Sequence, residues 1–371
     1  MRVLLSLMKL DIGGAETHVV ELAKELKRRG HDVFVTSNGG AYVEEIESFG
    51  IKHYLVPLQN KNPKNVMSAF KLLKKIIEDE KIDLVHSHAR IPSFILGKLQ
   101  KTMKFPFVTT AHGVFSTKYG LKYITDWGQK TLAVSEDIKK YLMDNYKISE
   151  DDITLTINGI DTEKFSPEID KTKILDEFGI GENDNLIVHV SRIDKEISTV
   201  AFLLLEAVEK LDSIVENLKL LIVGGGEDFE KLKEKADCLN EKIGKQAVIL
   251  AGPRVDVHNI LAPAKLFVGV SRAALEAMAE EKPVILAGSQ GYMGLFTEEK
   301  LETALSNNFC GRGCDVVTVD KLSQDIGEFF GMWEEDIEKI GKFGRKTVIE
   351  NYSVKKMTDD NESVYESVLK G

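Results

Sequence analysis

Cysteine is scarce in this sequence, with three residues in 371. Thiols that are so few and odd in number suit a reducing cytoplasm better than a disulfide-stabilised fold. No neighbouring cysteine or histidine completes the four soft ligands that a structural zinc site normally has. We therefore expect Cys238, Cys310 and Cys314 to be ordinary thiols.

Long apolar runs are missing as well, and no stretch reaches the length that a bilayer-spanning helix needs. The opening residues, MRVLLSLMKLDIGG, contain a short apolar stretch. A glycine loop follows it where a signal peptide would have a small-residue cleavage site, so we expect no signal peptide. Together these absences favour a cytoplasmic location.

An excess of positive charge is also absent, since the net charge is −10. This argues against a nucleic-acid partner, because binding to a phosphate backbone needs a cationic face. Residues 1–158 carry 23 Lys and Arg against 19 Asp and Glu, whereas residues 159–371 carry 26 against 40. A mildly basic first half and an acidic second half indicate different partners for the two halves.

Short β-rich runs alternate with helical segments along most of the chain. This pattern predicts α/β domains in which helices cover both faces of a parallel sheet. The alternation pauses in a loose polar stretch near residues 159–183 and restarts near Asn185. We predict two doubly wound Rossmann-like domains, residues 1–170 and 171–350, that face each other across a cleft. Residues 351–371 end the chain in a helix, and the predicted strands include NLIVHVSR, KLLIVGGG, LFVGVS, KPVILAG and DVVTV.

Ligands of open α/β sheets bind beyond the carboxyl ends of the strands, so residues that directly follow strands are the first candidates. Gly13 and Gly14 precede a helix, where backbone N–H groups and the helix dipole favour an anion. The same pair also fits an ordinary tight turn. Arg192 ends NLIVHVSR, and its guanidinium suits a diphosphate, although an arginine there is often only a surface residue.

The second half contributes two further candidate features. Gly224, Gly225 and Gly226 follow LLIV and offer backbone amides. Glu276 lies early in a predicted helix, where its carboxylate fits the two hydroxyls of a ribose better than the role of a helix-dipole cap.

Histidines follow two strands of the first half. His112 ends FVTTAH, and we predict that His86 and His88 point to one face of a strand. We expect His86 and His88 to be structural rather than metal-binding, because no third ligand is evident.

Eight motifs occur in the order seen in the retaining glycosyltransferases of family four, also called glycosyl transferases group 1, and the chain resembles that family over nearly its whole length. The resemblance implies a GT-B fold and a retaining hexosyl transfer that needs no metal and no cofactor beyond the nucleoside-diphosphate sugar substrate. It implies an acceptor-side first domain, a donor domain, and a last helix that crosses back onto the first domain. The motifs are IGGAETHVVELA, DLVHSHA, TTAHG, LAVSE, NGIDTEKFSP, VSRID, LIVGGG and LEAMAEEKPVI.

The resemblance also implies roles for individual residues. Two of them are catalytic: His112 at the donor sugar and Arg192 at the diphosphate. Glu276 would bind the ribose, and Glu16 and His18 would lie on the acceptor side. The remaining donor-binding candidates are Gly13, Gly14, Lys195, Gly224, Gly225, Gly226, Gly269 and Arg272.

Two positions depart from the family pattern. Ile197 stands where the family has a lysine that shares the diphosphate, and Val268 stands where it has a glutamate that meets the donor sugar, unless that segment is deleted. Lys195, Arg272 and the glycine-rich loop at residues 288–294 are the candidate substitutes. The departures keep two alternatives open, a GT-B nucleotide-sugar epimerase and a degenerate nucleotide-sugar-binding protein.

The acceptor is not identified by any motif, and a carbohydrate, a lipid-linked glycan and a small molecule all remain open. The segment NKNPKNVMSAFKLLKKIIEDE combines five lysines with apolar residues. It fits weak peripheral docking at the inner face of a membrane. We favour an ordinary helix whose apolar side packs on the sheet, because amphipathic helices of α/β domains have this pattern by default.

Overall fold

The computed structural model describes residues 1–117 and 121–370, apart from the side chains of residues 123 and 124, and it divides into two compact units. The first unit comprises residues 1–159 and 352–371, and the second comprises residues 160–351. The boundary between the units therefore follows residue 159, whereas the sequence analysis placed it after residue 170. Residues 160–170 belong with the second unit because Arg345 donates hydrogen bonds to the carbonyls of Thr162 and Phe165, at 3.3 and 3.1 Å.

The first unit is built on a seven-stranded parallel sheet in the order β3-β2-β1-β4-β5-β6-β7. The chain winds outward from β1 to β3 and then returns to lay β4 on the other side of β1. The switch between these two directions falls between β1 and β4, where doubly wound sheets bind ligands. The elements are β1 (Arg2–Ser6), α1 (Gly14–Arg28), β2 (Asp32–Ser37), α2 (Val43–Ser48), β3 (Lys52–Leu55), α3 (Pro63–Asp79), β4 (Leu84–Ser87), α4 (Arg90–Met103), β5 (Phe107–Ala111), β6 (Lys130–Ala133), α5 (Glu136–Tyr146) and β7 (Ile153–Leu155).

The second unit repeats the doubly wound plan in a six-stranded sheet, ordered β10-β9-β8-β11-β12-β13. Its switch falls between β8 and β11. All strands are parallel except β13, which pairs antiparallel with β12. The elements are α6 (Thr172–Phe178), β8 (Asn185–Val190), α7 (Thr199–Leu211), β9 (Leu218–Val223), α8 (Phe229–Ile243), β10 (Val248–Gly252), α9 (Val257–Leu261), β11 (Leu266–Gly269), α10 (Ser271–Ala279), β12 (Val284–Gly288), β13 (Gly291–Leu295), α11 (Leu301–Ser306), α12 (Val319–Phe330) and α13 (Glu334–Tyr352).

The sixth strand of this sheet is not the one predicted from the sequence. The segment DVVTV forms no strand: it contributes one isolated bridge, from Asp315 to Tyr292, and α12 begins at Val319. The glycine-rich loop at residues 288–294 instead supplies β13. Gly294 lies within β13 and has a φ of 71°, a left-handed conformation that favours glycine, at the point where the register with β12 shifts.

The chain ends in helix α14 (Val354–Lys370), after a break at Ser353 that the sequence predicted at residues 351–353. The helix packs against α1 in the first unit and places Met357 and Tyr365 in the apolar core there. Arg29 of α1 pairs with Asp359 and Glu362 of α14. Apolar burial and ion pairs thus fix the last helix on the first unit.

Helix α3 shows where the lysine-rich segment lies. Its buried side chains are Ala69, Leu73, Ile76 and Ile77, so one apolar face packs in the core, as the favoured interpretation expected. Met67 remains 63% exposed beside the lysines. No helix among the described residues combines the length and apolarity that crossing a membrane requires.

Candidate functional site

In the second unit, the loop that follows β8 lines a cavity of about 490 Å³. Arg192 and Lys195 supply two cations to its wall, and Ile197 supplies an apolar side chain. Because β8 borders the switch of strand direction, this cavity lies where the doubly wound fold places its ligands. Asp194, Glu196 and Glu227 complete the lining.

Arg192 is exposed. Among the described residues, no carboxylate lies within 4.0 Å of either the Arg192 guanidinium or the Lys195 ammonium. The Asp194 carboxylate has another partner, because its Oδ1 accepts a hydrogen bond of 2.7 Å from the backbone N–H of Glu227. Both cations are therefore available to an anionic ligand, although the carboxylates of Asp194, Glu196 and Glu227 make the electrostatic potential in the cavity less positive.

The glycines after β9 hold this loop in place. A Cβ at Gly224 would overlap the Ser191 carbonyl oxygen, and a Cβ at Gly226 would overlap Asp194. Both glycines have a positive φ, 142° and 155°. The Ile193 N–H donates to the Gly225 carbonyl at 3.0 Å. Close packing under the Arg192 loop thus explains Gly224 and Gly226, and direct ligand contact by the amides of all three glycines remains a prediction.

Lys195 has a φ of 43°, which an L-residue adopts only at a cost of about 1 kcal/mol. This backbone opens the 3-10 turn Lys195–Ser198, which also carries Ile197. Ile197, which occupies the position of the family lysine, is 37% exposed and borders the cavity. Lys195 is therefore the cation of this turn that shares the cavity with Arg192.

Glu276 projects from α10, next to the same switch of strand direction. Its carboxylate is already paired, since the Nε of Arg272 donates to Oε1 at 2.8 Å. Burial raises the pKa of the Glu276 carboxyl, and the Arg272 guanidinium opposes that rise. A ribose that binds Glu276 would have to share it with Arg272.

The strand before α10 contributes no carboxylate. Val268 is fully buried within β11, and α10 begins two residues after that strand ends. The structure therefore has no glutamate-bearing segment between the two elements. Gly269 ends β11, and a Cβ there would lie 2.7 Å from the Phe267 ring, so packing explains this glycine.

In the first unit, Gly13 caps α1 and Gly14 begins it. A Cβ at Gly14 would meet no atom within 4 Å, so the helix N-terminus has open space in front of it. The Glu16 carboxylate lies beside Gly13 and already places a negative charge at this end of the dipole. An incoming phosphate would have to displace that carboxylate.

Four histidines gather at the carboxyl edge of β4 and β5. His88 and His112 directly follow these strands, and Nδ1 of His88 lies 3.1 Å from Nε2 of His112. His18 reaches them from α1, with its ring centroid 4.7 Å from that of His112. Burial, assisted by the neighbouring histidines, lowers the pKa of His88 and of His112 well below the usual value, so both rings are neutral at physiological pH.

Both ring nitrogens of His86 have hydrogen-bond partners. They lie 2.7 Å from the Tyr365 hydroxyl and 2.7 Å from Oγ1 of Thr110. The structural role predicted for His86 agrees with these bonds. The premise that no third ligand accompanies His86 and His88 is wrong for His88, because His18 and His112 lie beside it. The rule that ligands bind beyond strand ends could have indicated this cluster. His88 and His112 directly follow strands, and His18 lies in the helix after β1.

Two family models together match most of the chain. The model described as Glycosyltransferase Family 4 matches residues 12–164, and the model described as Glycosyl transferases group 1 matches residues 170–347. The chain belongs to the glycosyltransferase group 1 family. The first match ends at residue 164 and the second begins at residue 170, close to the division between the two units after residue 159.

Individual relatives of this glycosyltransferase extend over nearly its full length. The crystal structure of a glycosyltransferase from Rickettsia africae is 26% identical, covers 100% of this chain and 99% of its own, and superposes with a TM-score of 0.79. The N-acetyl-alpha-D-glucosaminyl L-malate synthase of Bacillus anthracis is 25% identical over 97% of this chain and 95% of its own.

The name of a third relative states which sugar donor that relative uses. The Escherichia coli UDP-Gal:alpha-D-GlcNAc-diphosphoundecaprenol alpha-1,3-galactosyltransferase is 25% identical over 82% of this chain and 79% of its own. These findings establish a GT-B glycosyltransferase of group 1 that uses a nucleotide-sugar donor.

Proposed function

We propose that the second unit binds a uridine-diphosphate sugar and that the enzyme transfers the sugar, with retention, to a hydroxyl of a carbohydrate or lipid-linked acceptor. The cavity after β8 is the observation that carries the proposal, because it joins Arg192 and Lys195 at the switch of strand direction. The Escherichia coli relative named for a UDP-Gal donor supports the choice of nucleotide.

Departure of the diphosphate is the step for which this cavity is suited. Cleavage of the bond between sugar C1 and phosphate oxygen leaves negative charge on the diphosphate and an oxocarbenium-like sugar. Arg192 donates a pair of charge-assisted hydrogen bonds to that charge, and Lys195 adds a second cation. Lys195 thereby takes the place of the family lysine that is Ile197 here.

Retention follows when the acceptor oxygen attacks C1 from the face that the diphosphate leaves, and the acceptor proton passes to the departing phosphate oxygen. This route needs neither a carboxylate nucleophile nor a metal ion. It suits a chain in which Val268 is buried within β11 and offers no carboxylate. In this scheme Glu276 binds the ribose and His112 contacts the donor sugar.

We assign acceptor binding to the first unit, with Glu16 and His18 near that substrate. Between α3 and α4 this unit has an apolar cavity of about 290 Å³, lined by Pro63, Val66, Ile91 and Phe94 with Lys61 and Arg90. Apolar walls beside two cations fit the hydrocarbon and phosphate of a lipid-linked acceptor. Such an enzyme would work in the cytoplasm, at the inner face of the membrane.

Liposome flotation tests the membrane part of this proposal. The full chain should float with vesicles rich in anionic lipid and not with neutral vesicles, and Lys61→Ala with Lys64→Ala should reduce flotation. Lys233→Ala on the second unit is the matched control. Absence of wild-type flotation with anionic vesicles removes peripheral docking from the proposal.

The transfer itself is tested by incubating the enzyme with a panel of UDP-sugars and candidate acceptors and measuring released UDP. Transfer requires release that depends on acceptor, and the anomeric coupling of the product in early NMR spectra should match that of the donor. Release without acceptor, with an epimerised free sugar, would instead identify an epimerase. Saturable UDP-sugar binding with no release across the panel would identify a degenerate binding protein, an outcome that Ile197 and Val268 make worth testing.

A further inference from the structure

We propose that His18, His88 and His112 form a binding site for a transition metal of the zinc class at the carboxyl edge of the first unit's sheet. The metal has no part in the transfer scheme above, but the site shares His18 and His112 with that scheme, so a bound metal would compete with the substrate contacts assigned to them. Each histidine offers one ring nitrogen, and the three nitrogens lie within 4.8 Å of one another.

The spacing of the cluster suits a small cation. Two nitrogens bound at about 2.05 Å to one tetrahedral zinc ion are about 3.3 Å apart. The His88 Nδ1 to His112 Nε2 distance is already 3.1 Å. No separation in the cluster exceeds 4.8 Å, so each pair is at most about 1.5 Å too far apart, a difference that small side-chain rotations would close.

Rigid elements carry all three ligands. The backbone N–H of His88 donates to the Ser6 carbonyl at 2.8 Å, which fixes the end of β4 against β1. His18 lies on α1, and His112 directly follows β5. A site built on strand ends and a helix loses little conformational entropy when it binds an ion.

The surroundings orient the ligands as a metal site requires. The Nδ1 of His18 lies 3.1 Å from Oδ1 of Asn158, a contact that fixes the tautomer and presents Nε2 to the cluster. His86 has both nitrogens engaged and packs against His88 with ring centroids 4.0 Å apart, so it supports the cluster without joining it.

The ligand chemistry selects the metal. Three imidazoles without a carboxylate favour zinc, cobalt, nickel or copper over magnesium or calcium. His112 is only partly buried, which leaves a fourth position for water.

Cobalt titration of the tag-free full chain, stripped with a chelator and dialysed, tests the site. We expect visible bands of tetrahedral cobalt that saturate at one equivalent and disappear when zinc is added. His88→Gln and His112→Gln should abolish the bands, while His53→Gln, a histidine on β3 outside the cluster, should bind as the wild type does. Circular dichroism melts confirm that each variant is folded.

Asn158→Ala keeps all three ligands and tests the site if a histidine variant does not fold. Loss of its contact with His18 should lower cobalt affinity about 10- to 100-fold. The proposal is overturned if the wild type shows no saturable tetrahedral bands. It is equally overturned if folded His88→Gln binds cobalt as tightly as the wild type, if His53→Gln loses the bands as well, or if Asn158→Ala has unchanged affinity.

Discussion

Arg192→Ala is expected to cripple sugar transfer while leaving the fold intact. The side chain is exposed and has no carboxylate within ion-pair distance among the described residues, so its removal breaks no ion pair there. In the proposed complex it donates two charge-assisted hydrogen bonds to the departing diphosphate, each contributing about 1.5–3 kcal/mol. Their loss corresponds to about 10²- to 10⁴-fold in kcat/KM, since each 1.4 kcal/mol is tenfold.

Two structural features place the expected loss toward the lower end, near 10²- to 10³-fold. Solvent screens the exposed guanidinium, and Lys195 remains in the same cavity. The assay is the steady-state rate of UDP release with a matched donor and acceptor, and Arg192→Lys should retain part of the rate. Lys233→Ala on α8 is the control and should keep the wild-type rate. A folded Arg192→Ala enzyme whose kcat/KM stays within about threefold of the wild type would refute the assigned role.

Three further predictions concern buried groups. Glu276→Ala should weaken UDP binding by about tenfold or more, because a hydrogen-bonded carboxylate is lost, and unchanged calorimetric affinity would remove Glu276 from the site. Burial raises the pKa of the Glu280 carboxyl to about 9, so the folded chain keeps a proton that the unfolded chain releases, and stability falls as pH rises from about 4.5 to 9. Glu280→Gln should therefore gain stability over the wild type between pH 5 and pH 8 in urea denaturation, and parallel pH profiles would contradict this. Tyr365→Phe leaves Nδ1 of His86 without its hydrogen bond and should lower the free energy of unfolding by about 1–3 kcal/mol, whereas an unchanged denaturation midpoint would show that the bond is unimportant.

Local patterns were sufficient to predict most of the fold. Alternating β-rich and helical runs gave two doubly wound sheets, because buried parallel strands need apolar sequences and crossover helices between them. The prediction failed at DVVTV, where β-propensity favoured a strand. Tertiary contacts decided otherwise, since β13, which pairs antiparallel with β12, already occupies that edge of the sheet.

The site was predicted in part. The rule that ligands bind beyond strand ends indicated Arg192, which lines the cavity after β8. The family pattern gave Glu276 and His112 roles that stay predictions. It could not show that Arg272 already pairs with Glu276, because a helical spacing of four permits that pair without requiring it. The histidine cluster was missed because its members are far apart in the sequence and only the order of the strands brings His18 and His88 together.

The central claim is that the second unit holds the diphosphate of the donor in the cavity after β8. A crystal structure of the enzyme with bound UDP tests it most directly. The diphosphate should lie within hydrogen-bonding distance of the Arg192 guanidinium and the Lys195 ammonium, with the ribose hydroxyls at Glu276. A diphosphate bound away from both cations, with this cavity filled only by solvent, would contradict the claim.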